Sequence, residues 1–264
     1  MYRLLLIAQP TESTDSALWK EQNFDPVCIC PDVCSALKLH AEKHFDAIGV
    51  TDPAVYKELY EQLKASNESV PAFTLPSDKE QQSVVLKDVR HLLHRLNVDY
   101  TDEQYTLSEL SRLVQYEMLH NLLSGKSNDA EKLIRWFNML RSDIPLELPC
   151  RIYTLGLPQG DLYLEDRWHH GQNRLQKALE RNFFGHIDQI AYCAVSFLSP
   201  VDARLLLVPN ATVDIDQETD TLDNEVIRSV NDIKSYLDLN INVYQAGSVA
   251  CVTDIAMINN SKED

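Results

Sequence analysis

Residues 2–10 read Tyr2-Arg3-Leu4-Leu5-Leu6-Ile7-Ala8-Gln9-Pro10. The stretch is an apolar run that ends abruptly in a polar residue and a proline. A short continuous apolar segment closed by a turn former is the pattern of a strand buried on both faces. Outward from it, strand-like and helix-like segments alternate. A helix is expected over residues 13–22, a strand over 27–30, and a helix over 31–44 with Pro31 and Asp32 at its entrance. A strand over 47–50, a helix over 54–64 and a strand over 72–75 after Pro71 follow. Residues 84–86 are expected as a short fifth strand leading into a helix through Leu96. Strands alternating with helices predict a doubly wound parallel sheet, here an α/β domain over residues 1–98.

Composition bounds the rest. The 264 residues, 44% hydrophobic and 24% charged, suit one large or two ordinary globular domains. No apolar run approaches the roughly 20 residues of a membrane span. The opening run ends at Ala8 without a small-residue cleavage site, so a cytoplasmic protein with no membrane association is expected. Forty Asp and Glu against 24 Lys and Arg give a formal charge of −16, and no basic cluster interrupts it. This balance opposes a grip on a phosphate backbone, so no DNA binding by the chain alone is expected.

The six cysteines suggest no disulfide framework. Cys150, Cys193 and Cys251 lie singly in apolar segments, where free thiols are usually buried. Cys28, Cys30 and Cys34 lack the paired spacing of a zinc site. Two other patterns fall short of a metal site. Asp214, Asp216, Glu218, Asp220 and Glu225 approach the rhythm of a calcium loop, but Thr219 stands where the loop needs glycine. His40 and His44 share a helix face, but His40-Ala41-Glu42-Lys43-His44 is not the His-Glu-x-x-His of a zinc protease, and His169-His170 carries no motif. No metal and no cofactor are expected.

A polar stretch over residues 97–103 reads as a domain boundary. The helix expected over residues 106–124 follows, with Leu107, Leu110, Leu113, Val114, Met118, Leu119, Leu122 and Leu123 covering more than one face. Such a helix has to bury two sides, which suits a self-association seam; the alternative is a helix sandwiched within one chain. Gly125 is placed as its C-cap, and a second helix is expected over 130–141. Thereafter the rhythm changes: a strand over 150–157, a helix over 168–184, and strands over 191–198 and 204–209 separated by Ser199-Pro200-Val201-Asp202. A helix over 222–237 and strands over 241–246 and 249–253 complete an antiparallel or mixed sheet with helices against one face.

Trp19-Lys20-Glu21-Gln22-Asn23-Phe24, Ala36-Leu37 and Asp46-Ala47-Ile48-Gly49-Val50-Thr51-Asp52-Pro53 carry a resemblance. The N-terminal part resembles the receivers of AraC-type, YesN-like two-component response regulators. Glu117-Met118-Leu119-His120-Asn121-Leu122-Leu123-Ser124-Gly125-Lys126 resembles their linker helix. The remainder resembles their central regulatory domain, a relative of the nucleotidyl-cyclase (GGDEF) fold without its catalysis. The resemblance implies a flavodoxin-like pseudo-receiver over 1–98, a dimerisation helix over 99–126 and a degenerate α+β cyclase-like domain over 127–264. The DNA-binding helix-turn-helix pair of that family has no counterpart in this sequence.

The resemblance also assigns positions. Receivers hold Mg²⁺ on acidic residues after the first strand, where this chain has Ala8-Gln9. It puts Thr51 at the phosphoacceptor position with Asp52 one residue late, and a one-residue shift turns a strand side chain to the other face. Lys87 matches the phosphate-contacting lysine, while Pro76 replaces the switch hydroxyl. Gln9, Thr51 and Lys87 therefore mark a receiver-like pocket, with Asp52 the weaker phosphoacceptor candidate and an Asp-Pro turn its structural role. In the second part, Ser199-Pro200-Val201-Asp202 replaces the glycine-rich acidic hairpin of the cyclases, and no enzyme activity is expected there. The function implied is a non-catalytic regulator that forms a homodimer through Leu107, Leu110, Val114, Met118 and Leu122 and binds a protein partner or small ligand. A small-molecule sensor, or a working phosphoreceiver using Asp52, is the alternative.

Overall fold

The computed structural model describes residues 1–9, 16–98, 106–187, 190–210 and 215–256. Pro10, residues 13–15 of the first expected helix, residues 99–103 of the expected boundary and Asp214 lie outside them. The chain divides into two compact units, and it crosses between them more than once. The first holds Met1–Gln115 and Glu131–Ser142; the second holds Tyr116–Ala130 and the chain from Asp143 onward.

The first unit alternates β1 (Tyr2–Ile7), α1 (Ser16–Glu21), β2 (Phe24–Cys30), α2 (Val33–Lys43), β3 (Ala47–Val50), α3 (Pro53–Ala65), β4 (Ala72–Thr74) and α4 (Lys79–Val98). Its four strands are parallel, in the order β2-β1-β3-β4. The opening run fills the centre of that sheet, and Leu4, Leu5 and Leu6 are fully buried. Two neighbouring strands and helices on both faces explain why it carries no polar alternation.

Residues 84–86 form no fifth strand; they lie inside α4. Leu86, Val89, Leu92, Leu93 and Leu96 are all buried, a helical stripe that overrides the β-branched pair Val84-Val85. Helix α6 (Ala130–Met139) and the residues after it contribute to the edge that β4 presents instead. Ile48 donates its N–H to the Pro71 carbonyl at 2.9 Å, so alternation turns the carbonyls of Val70 and Ala72 away from β3. Arg141 donates to the Val70 carbonyl at 2.6 Å and also to that of Glu68. The Tyr56 hydroxyl lies 3.5 Å from the Ala72 carbonyl and 3.1 Å from that of Asn138. Asp88, nearly buried on α4, pairs with Arg135 of α6 at 2.6 Å. These contacts place residues 131–142 with the first unit, which corrects the division expected at residues 126–127.

The second unit contains β5 (Cys150–Gly156), α7 (Gly160–Tyr163), a π-helical turn (Leu164–Trp168), α8 (Gln172–Ile187), β6 (Ala191–Ser199), β7 (Asp202–Pro209), α9 (Ile215–Leu237) and β8 (Asn242–Val249). Its sheet is antiparallel, in the order β6-β7-β5-β8, a split β-α-β-β-α-β arrangement. The two last expected strands are one continuous strand, and residues 252–254 form a 3₁₀ turn. Alternate residues of β5, β6 and β7, including Tyr153, Leu155, Val195, Phe197, Leu205 and Leu207, pack with Leu175, Leu179 and Phe183 of α8 and Leu222, Val226 and Ile233 of α9.

Helix α5 (Leu107–Leu123) opens with a reciprocal cap. The Thr106 N–H donates to Glu109 Oε2 at 2.8 Å, and the Glu109 N–H donates to Thr106 Oγ1 at 3.3 Å. Its C-terminal half lies on the sheet face of the second unit opposite α8 and α9. There the Ser196 hydroxyl donates to the His120 carbonyl at 3.2 Å, and Arg204 donates to the Leu123 carbonyl at 2.7 Å. Helices therefore cover both faces of this sheet, not one as expected. A buried guanidinium on the last carbonyls of a helix also meets the negative end of its dipole.

Candidate functional site

Gln9 and Thr51 come together. Ile7 and Val50 are partners on adjacent parallel strands, so the residues that follow them share the mouth where the strand order reverses. In an open parallel sheet this switch point is where ligands bind. Gln9 is exposed and Thr51 half-buried, and the Thr51 N–H donates to the Ile7 carbonyl at 3.2 Å. Lys87 is not part of this mouth: with no fifth strand to carry it, it lies exposed within α4. Asp52 is exposed and acts as the N-cap of α3, its carboxylate accepting the Ala54 N–H at 2.8 Å. Pro53, with φ already set and no N–H to lose, takes the first helical position. Among the described residues the mouth thus offers the amide of Gln9 and the hydroxyl of Thr51, and the neighbouring Asp52 carboxylate is engaged by a helix terminus.

The proposed seam on α5 divides in the structure. Val114 and Leu122 are buried within this single chain, at 1% and 2% exposure, as are Leu119 and Leu123. Leu107 is exposed, and Leu110 and Met118 are half-buried. The continuous apolar strip expected for a dimer is therefore interrupted at Val114 and Leu122. At the C-terminal end the second side of the helix is taken up by the sheet bearing Ser196 and Arg204.

The second unit holds three polar features that sequence reasoning missed. The first is a cavity of about 330 Å³ bounded by Gln159, the π-helical turn with Asp166 and Arg167, and the Asp238–Asn240 turn. Arg167 is ion-paired with Asp238, and the Tyr163 hydroxyl donates to the Leu237 carbonyl at 2.8 Å. A π-helical turn beside a cavity is a recurrent mark of functional sites, and no periodicity in the sequence announces it.

The second feature is an ion-paired cluster in which Arg151 and Tyr153 are buried and the Asp223 side chain is 36% exposed. Arg151 of β5 donates from Nη2 to both carboxylate oxygens of Asp223 of α9, at 2.8 and 2.9 Å, and from Nη1 to the Ser248 hydroxyl of β8 at 3.2 Å. Tyr153 donates to Asp223 at 2.7 Å and accepts from Arg151 at 3.1 Å. Burial, and then the bond to Asp223, push the Tyr153 phenol above its ordinary value. Burial works against the Arg151 charge, but its bonds to Tyr153 and Asp223 hold its guanidinium above the usual range. An arginine inside an apolar strand was the signal that could have found this cluster.

The third lies along β6. Glu180 of α8 accepts the Val195 N–H at 2.9 Å and pairs with His120 of α5 at 2.5 Å. Gln176 accepts the Phe197 N–H at 3.4 Å and contacts the His120 ring at 3.3 Å.

The Ser199–Asp202 hairpin is closed on itself. Ser199 Oγ accepts from the N–H groups of Val201 and Asp202 at 3.3 and 3.1 Å, and Leu157 donates to the Val201 carbonyl at 2.7 Å. Gly160 packs so close that a Cβ there would meet the Pro200 carbonyl oxygen at 2.2 Å. Among the described residues no three His, Cys, Asp or Glu side chains are placed to hold a metal ion. The acidic run before Leu222 is helical from Ile215 onward, which a calcium loop cannot be. His40 accepts the Phe45 N–H on Nδ1 at 3.1 Å in a buried position, and Cys34 is exposed with no disulfide. Burial pushes the Cys150 and Cys193 thiols up to about 12, as structural thiols.

No family model matches the chain, and no curated protein matches it. No helix among the described residues is long and apolar enough to cross a membrane.

Proposed function

We propose that this chain is a non-catalytic signal-transduction and transcription-regulatory protein of the response-regulator kind. Its receiver-like unit works without phosphorylation, and it acts in the cytoplasm by self-association and by binding a protein partner or small ligand. The observation that carries this reading is Asp52: it caps α3 instead of facing an acidic pair at the mouth of the sheet. Phosphoryl transfer to a carboxylate needs charge neutralisation at the transferring oxygens, and Ala8-Gln9 offers none. The parallel order β2-β1-β3-β4 supports a receiver-like ancestry for the first unit. The split β-α-β-β-α-β order of the second supports a cyclase-like one. The cavity beside Asp166 and Asp238 favours a second reading, in which the second unit senses a small molecule.

The test is incubation of the intact chain with acetyl phosphate and Mg²⁺. The expected mass spectrum shows no phosphoryl adduct. An adduct that maps to Asp52 and disappears in Asp52→Asn would make the chain a working phosphoreceiver instead. In the same preparation, duplex DNA at physiological salt should show no mobility shift, as the −16 charge requires.

A further inference from the structure

We propose that the outer side of β8 is a pairing edge for a second copy of this chain, joining two sheets across a two-fold axis. The inference rests on the self-association reading and moves its seam from α5 to the sheet.

The two edges of the second sheet are treated differently. Neither edge strand carries a charge or a proline: β6 reads AYCAVSFLS and β8 reads NVYQAGSV. Uncharged, proline-free edges are templates for another strand, and folded chains usually blunt them. At β6 this is done. The N–H groups of Val195 and Phe197, turned away from β7, are taken by Glu180 and Gln176 of α8. At β8 no such cover exists among the described residues, where only β5 pairs with it. Asn242 and Ser248 are exposed, as are Val243 at 37% and Tyr244 at 66%. The register irregularity beside Tyr244 leaves residues 245–249 in a regular ladder with β5.

The strand is also held in place. Arg151 ties Ser248 to Asp223, so the template is formed before a partner arrives and costs little ordering on pairing.

Charge selects the occupant. Two copies each carrying −16 repel over most of their surfaces. An eight-residue strand without a carboxylate is a place where they can approach without opposing like charges. A basic partner strand would find no charge on β8 to recognise, whereas an uncharged strand of the same sequence fits. Antiparallel pairing of one strand with its own copy is the self-complementary contact that a two-fold axis produces.

The experiment is sedimentation velocity of the full chain over a dilution series. It compares wild type, Tyr244→Lys, Asn242→Lys and the double variant Leu110→Glu/Met118→Glu. Wild type is expected to dimerise at roughly 50 µM, and each lysine to raise the dissociation constant by about tenfold or more, with an unchanged circular dichroism spectrum. The α5 double variant should dimerise like wild type. A wild-type dimer that survives both lysines and is lost in the α5 variant overturns the β8 seam and leaves self-association standing. A wild type that stays monomeric throughout overturns both.

Discussion

Asp52, a phosphoacceptor candidate by its place in the sequence, is a helix cap. Its carboxylate engages the Ala54 N–H at the start of α3, a contact that any good N-cap can make. Asp52→Asn should therefore leave stability within a few tenths of a kcal/mol, and Asp52→Ala should cost about 1 kcal/mol, read from urea midpoints. Equal losses in both would mean that the negative charge, not the cap, matters. His40 makes a second prediction. Burial holds its pKa below the ordinary histidine value, and His44 adds to this while Glu68 opposes it. His91 is lowered too, by burial and then by Lys132, Arg90 and Lys87, against Asp88. A histidine whose folded pKa is depressed takes its proton more readily when unfolded. Its contribution is thus complete above the unfolded pKa and is lost as pH falls toward the folded one. The urea midpoint should drop between pH of about 7.5 and about 5.5, above the range where carboxylates titrate. In His40→Asn, which keeps an acceptor for the Phe45 N–H, the drop should shrink; an unchanged drop would assign it elsewhere.

At the scale of elements, both sheets spend side chains on their edges. The β4 edge was not legible in the sequence: Val84-Val85-Leu86 reads locally as a fifth strand, and the longer helical stripe through Leu96 overrides it. Its cover, Arg141, comes from about 70 residues further on, as the sequence separations of 71 and 73 to Val70 and Glu68 show. Arg141→Ala leaves the Val70 carbonyl, just before β4, without this donor and should lower stability by about 1–3 kcal/mol, measured by urea unfolding. Arg141 has φ of 51°, so alanine carries the same left-handed strain and the difference isolates the side chain. A loss below about 0.5 kcal/mol would show that water satisfies those carbonyls instead.

Over the whole molecule, the division into units predicts which pieces fold. The first unit needs residues 131–142, although the chain visits the second unit before reaching them. A fragment of residues 1–126 lacks Arg135 for the nearly buried Asp88 and Arg141 for the β4 edge. It should unfold broadly, or at a clearly lower urea concentration than a fragment of residues 1–142. Removing the partner of a buried charge alone is worth about 3–5 kcal/mol. Identical cooperative transitions in the two fragments would show that α6 is dispensable to the first unit.

The sequence by itself determined whatever depends on near neighbours. The apolar run of residues 4–7 makes a central strand, the alternation of residues 24–74 leads to a parallel sheet, and Ala8-Gln9 puts no carboxylate directly after the first strand. Asp52-Pro53 is a helix start by its own chemistry. The tertiary structure alone decided what depends on distant partners. It buried Val114 and Leu122 inside one chain, returned α6 to the first unit, and joined Arg151 to Asp223 across 72 residues. Among the described residues it also paired β8 on one side only, while Glu180 and Gln176 cap β6. An edge strand and an inner strand can carry the same local pattern, and only the placement of the rest of the chain separates them.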